Sequence, residues 1–260
     1  MKRCSALFLL LLAAGASLWA AGAKHNSALF DFGIGWHGGL QFDTLFDNYR
    51  FFEMDSMVGM GELGEMLALV NLDKKVEINM REATSSIAIG MGIRQMFREQ
   101  LGFGMNVGFF IPLRKSYPLE ATVGTHSDSK KFSFGLDDFY FPLGGDVMAG
   151  LVYMPVRTFR WNLSLTHGFH LNFVNASTSK VGLAQIVLGL GTEISADFYF
   201  KRDFYLNCGV VLTYDFYSLV DSTINLAGRQ VKYSRHGATA YLSCRPKIAI
   251  GYRMMEYYRR

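Results

Sequence analysis

The sequence has 260 residues, half of them hydrophobic and 15% aromatic, against 18% charged and a formal net charge of +4. So apolar a composition excludes intrinsic disorder, and the scattered Gly and Pro exclude a collagen-like or proline-rich linker chain. Loss of an N-terminal leader would remove Lys2 and Arg3, leaving a nearly neutral chain without the electrostatic footprint of a nucleic-acid-binding protein.

The N-terminus reads as a secretory leader. Lys2 and Arg3 form a cationic start, Leu7 to Ala16 an apolar run, and Ala21-Gly22-Ala23 a small-residue cleavage site. Residues 1–23 are therefore expected to be cleaved, leaving 24–260 as one domain. Two cysteines remain in it, Cys208 and Cys244, too few for a disulfide framework and without zinc-ligand spacing. No cofactor or metal is expected.

Beyond the leader no apolar run approaches the roughly 18 residues that a membrane helix needs. The apolar residues instead recur with a period of two, which sets them on one face of a strand. Phe30, Phe32, Ile34 and Trp36 alternate with Asp31, Gly33, Gly35 and His37. A long excursion, 38–84, follows. Within it Met57, Met60, Leu63, Met66 and Leu67 have a rough helical spacing, and such a helix would serve as a lid, a lumenal plug or a packed rim element.

Alternation returns with Ile87, Ile89, Met91 and Ile93 against Ala88, Gly90, Gly92 and Arg94, then with Leu101 to Ile111. Val147 to Tyr153 is a weaker strand of the same kind. Phe159 to Phe173 sets Trp161, Leu163 and Leu165 against Arg160, Asn162 and Ser164. Ile186 to Phe198 sets Leu188, Leu190 and Ile194 against Gly189, Glu193 and Asp197. The last two strands, from Phe204 and from Ala238, set apolar residues against Asn207, Asp215, Arg245 and Lys247. Eight strands result.

A soluble sandwich would clothe its second face in Lys, Glu and Thr. Here that face carries Gly, Ser, Asn and isolated charges, a lining for a crowded interior, so the broad apolar face must meet something other than water. Alternation of apolar-out and polar-in residues over about ten residues marks a membrane-spanning β-barrel. Such a sheet must close, because hydrocarbon cannot satisfy an open edge. Short turns are expected near 97–100, 155–158 and 201–203. Longer excursions are expected at 38–84, 113–145, 174–183 and 219–235.

With its leader, eight alternating strands, short inner turns and long outer loops, the chain resembles the small outer-membrane β-barrels of the OmpA, OmpX and OmpW class. The style is also similar to spirochaete outer-membrane proteins. The resemblance implies an all-β, eight-stranded antiparallel barrel in the outer membrane with its loops at the cell surface. It also implies contact with outer-membrane lipid and insertion by the barrel-assembly machinery. The ending Tyr257-Tyr258-Arg259-Arg260 departs from the terminal aromatic usual in that class.

Asp31, Arg94, Arg160, Glu193, Asp197, Asp215, Arg245 and Lys247 fall on the inward face. An eight-stranded barrel is just wide enough for its own side chains to fill, and buried charges need partners. Two readings stay open: a salt-bridge plug, or a gated polar path. Glu193 is expected to pair with Arg245, Lys247 or Arg94. His167 and His170 fall on opposite faces, which argues against a catalytic pair, and no enzymatic role is expected. The leading functional expectation is porin-like passage of small or apolar solutes. A barrel whose loops bind host or envelope partners is the alternative, with a lipid-modifying enzyme a distant third.

Overall fold

The computed structural model describes residues 27–43, 76–123, 126–135, 143–176, 179–226 and 229–255. The expected leader and the methionine-rich stretch Met57 to Leu67 lie outside these residues. Among the described residues there are ten strands: β1 (Ser27–Gln41), β2 (Val76–Met80), β3 (Ala83–Met96), β4 (Leu101–Val123), β5 (His126–Gly135), β6 (Leu143–Val156), β7 (Phe159–Ala176), β8 (Ser179–Tyr199), β9 (Phe204–Leu226) and β10 (Arg229–Met255).

Eight of them close a ring. β1 pairs with β3, β3 with β4, β4 with β6, and β6 to β10 follow in sequence until β10 returns to β1, every pairing antiparallel. β2 and β5 stand outside the ring, both paired to the far end of β4.

The alternation seen in the sequence sorts the side chains. Phe32, Ile34, Ile248 and Ile250 lie outward, each 59–63% exposed, whereas Asp31, Arg94, Asn162 and Glu193 lie inward and buried. A folded chain in water would not hold so continuous an apolar belt outside and charges within. Polar atoms on the belt are tied back to the protein. The Trp36 indole donates to Ser85 Oγ (2.8 Å), and the Trp161 indole to Thr192 Oγ1 (2.8 Å). A hydrocarbon surround demands such bonds, since it offers none of its own.

The outer segments differ from the loops expected of them. β7 and β8 stay paired out to Ala176 and Ser179, and β9 and β10 out to Leu226 and Arg229. The stretches 174–183 and 219–235 are thus mostly hairpin. Much of 113–145 is strand as well, because β4 continues to Val123 and pairs with β5. β1 likewise runs to Gln41 and β3 begins at Ala83, within the bounds set for the first excursion. The cause is local: β-branched residues such as Val174, Val181, Ile224 and Val231 continue the strand preference after the apolar pattern has faded.

The inner turns are short, as at 97–100, where the Phe97 and Arg98 amides both donate to the Leu101 carbonyl. Cys208 and Cys244 are free. They sit opposite Ile248 and Leu212 respectively, four residues apart along β10, which is about 13 Å at the rise of a strand. Alkylation of the unfolded chain without reductant should therefore modify both; failure to modify either would reveal a disulfide.

Candidate functional site: the lumenal charge network

At the short-turn end the lumen has an apolar floor. Leu29, Met96, Val152, Met154 and Tyr205 pack together there, all essentially inaccessible. The Tyr205 hydroxyl donates to the Phe30 carbonyl at 3.2 Å.

On this floor stands a layer of ions. Arg160 pairs with Asp31 (3.0 Å) and with Asp197, and Asp197 also accepts from Asn207 Nδ2 (2.7 Å). Arg94 pairs with Asp31 and with Glu193 (3.1 Å), while donating to Asn106 Oδ1 (2.8 Å). Lys247 reaches Glu193 at 2.8 Å. Glu193 is the hub. Its two oxygens also accept from Asn106 (3.1 Å), Asn162 (3.1 Å) and Ser195 (3.3 Å). The layer thus ties together β1, β3, β4, β7, β8, β9 and β10. Three cations face three carboxylates, and the balance is what makes burial tolerable.

A glycine makes room for it. A Cβ at Gly92 would lie 2.7 Å from both Arg94 Nη1 and Asp31 Oδ1. Gly108 does the same in the next layer, where a Cβ would fall against Arg245 and Asp146.

That next layer holds Arg245, paired with Asp146 (3.1 Å), in contact with Met148 Sδ (3.4 Å) and 5.1 Å above the Phe110 ring. The β1–β10 ladder is interrupted beside it, at Pro246, which has no N–H to donate. Asp215 accepts from Thr166 at 3.3 Å. Above lies an aromatic tier, with His37 stacked on Phe110 at 4.2 Å and His170 beyond it at 6.3 Å. Lys115 and Glu82 close the sequence of layers with a buried pair at 2.6 Å.

Little space is left. A cavity of about 30 Å³ lies between the two ionic layers, bordered by Asp31, Asn106, Arg245 and Lys247. Two of about 10 Å³ flank His37 and His170. The larger space can hold one or two water molecules and each smaller one at most one. Among the described residues no cluster of His, Cys, Asp or Glu is arranged to hold a metal ion.

All eight charged residues singled out in the sequence point into the lumen, and seven are at most 7% exposed. Six of them meet in one layer. Arg245 does not join Glu193, because Asp146 of β6 takes it instead; Asp215 is also in the upper tier. Asp146, Glu82, Lys115 and the three asparagines were not among the expected residues. Asp146 directly precedes Val147, so the alternation of that strand already placed it inward. His167 lies on the lipid face, with Nδ1 3.0 Å from the Val187 carbonyl, and His170 lies inside. They do not form one site.

The sequence matches no protein-family model and no curated protein. In structure the chain is similar to Neisserial surface protein A (8% identity, TM-score 0.38, covering 86% of this chain and 97% of that one). It is similar also to the outer membrane protein AlkL in lipid bilayers (10% identity, TM-score 0.40, 92% and 95% covered). A third is a major outer membrane protein from Thermus thermophilus (12% identity, TM-score 0.43, 86% and 99% covered). What decides the matter is this chain's own closed ring, with its belt outside and its ions inside. It is a small β-barrel of the outer-membrane type. No helix among the described residues could cross a membrane, and the barrel crosses with strands.

Proposed function

We propose that this barrel is a sealed membrane anchor whose work is done on its outer side, where β2, β4 and β5 form a sheet that continues past the ring. The observation that carries the reading is the layer centred on Glu193. It spans the lumen, is balanced in charge, and rests on an apolar floor. Solute would have to break several buried ion pairs at once to pass, each costly to open. The outer sheet and its loops then meet host or envelope partners, for which strand addition is a common mode of recognition.

A narrow, gated path for small polar solutes is the second reading. It has one observation in its favour. Lys247 is the most accessible member of the layer, with 14% of its side chain exposed, and it borders the 30 Å³ cavity that leads toward Arg245.

Liposome swelling separates the two. Proteoliposomes in isosmotic small sugars or amino acids should swell no faster than empty liposomes. Swelling that slows steadily as solute size rises would establish the path and overturn the sealed anchor.

A further inference from the structure

Above the apolar floor the described residues bury six carboxylates and five cations, Lys247 included. Asp31, Asp197, Glu193, Asp146 and Glu82 each lie within ion-pair distance of an arginine or lysine. Asp215 is the sixth. It is 5% exposed, yet the partner it meets among the described residues is neutral, the Thr166 hydroxyl at 3.3 Å. The lower layer is balanced, so the surplus negative charge belongs to the upper tier.

A carboxylate held in such a place without a counter-charge is costly. The surroundings offer one a seat. Asp215 and Asp146 border a single cavity of about 10 Å³, room for one particle the size of a water molecule. Thr166, Thr213 and Ser243 line it too, so oxygen donors come from β6, β7, β9 and β10. His37 borders the same cavity and is 3% exposed, and neither of its ring nitrogens has a partner among the described residues. The set does not suit a divalent metal, since no group of three or more His, Cys, Asp or Glu is gathered among the described residues. One positive charge, however, balances the tier. A dehydrated sodium or potassium ion is no larger than a water molecule, and hard cations of this kind take oxygen ligands.

We infer that this cavity is a binding site for a monovalent alkali cation, which completes the charge balance of the lumen and ties β6, β7, β9 and β10 together. Such an ion is held whether or not the lower layer conducts, so the site stands or falls apart from the sealed lumen.

Refolding of the full-length protein into phosphatidylcholine vesicles, followed by urea unfolding at mildly alkaline pH and constant ionic strength, tests this. At least one of sodium chloride and potassium chloride, in place of N-methylglucamine chloride, should raise the folding equilibrium constant by about fivefold or more, because the ion binds the folded state alone. Asp215→Asn keeps the shape of the side chain and removes the surplus charge; it should fold and be equally stable in all three salts. Asp215→Ser, a smaller neutral replacement, should be as indifferent. A wild type that responds to neither cation would mean that the Asp215 carboxyl group holds a proton in place of an ion, and would overturn the inference. An undiminished response in both variants would overturn it equally.

Discussion

Glu193→Ala should lower the stability of the folded barrel by about 3–5 kcal/mol, the cost of leaving buried charge without its partner. Arg94 and Lys247 both depend on this carboxylate. Without it, three cations would share Asp31 and Asp197. The amide groups of Asn106 and Asn162 would lose an acceptor in the same step. Urea unfolding in phospholipid vesicles, followed by tryptophan fluorescence, would read the loss. Because the effect is one of balance, Glu193→Ala combined with Lys247→Met should be more stable than Glu193→Ala alone. It restores two cations to two carboxylates and exchanges an ammonium for an apolar side chain of similar length. If the two substitutions simply added their costs, the layer would not be a coupled unit.

Ile34→Arg should cost about 2–4 kcal/mol in the same assay, whereas Phe42→Arg should cost at most about 1 kcal/mol. Both side chains point outward, Ile34 63% and Phe42 52% exposed. By exposure alone they are equivalent, and in water an arginine at either place would be nearly harmless. They differ in depth. Ile34 is central in β1 and pairs with Ile248 and Ile89, so it faces the middle of the belt. Phe42 lies past the end of that strand. A charge at the belt centre must snorkel or draw water with it, and one at the rim need not. Equal small effects at both positions would mean that the belt does not face hydrocarbon.

The barrel was legible in the sequence because one physical rule governs every strand: outward apolar, inward small or polar. That rule also placed Asp31, Arg94, Arg160, Glu193, Asp197, Asp215, Arg245 and Lys247 inside before any pairing was known. It could not set the register, so it could not decide which cation reaches Glu193. Register depends on how β4 to β8 align across the ring, and this brings Arg94 rather than Arg245 to Glu193. Asp146 shares the inward parity of β6 but gives a weak signal, because it stands one residue before the apolar alternation of that strand begins. Lys115 and Glu82 lay in stretches that read as loops. Beyond the membrane the contrast between the two faces fades, although the strands continue, and β2 and β5 left no periodic signal. Asn106, Asn162 and Asn207 lay on the inward face in plain view, yet a neutral amide gives no sign of serving an ion pair.

The sealed lumen is the central claim, and ion conductance across a planar bilayer tests it most directly. Wild-type protein, shown to be folded and inserted, should give no discrete channel steps. Arg94→Ser with Glu193→Ser takes one cation and one carboxylate from the layer together, so the remaining charges stay balanced while the centre is hollowed. With Tyr205→Ala added to open the floor beneath, that variant should conduct. Steps of steady amplitude from the wild type, altered in ion selectivity by Glu193→Gln, would contradict the seal and make the same layer the filter of a channel.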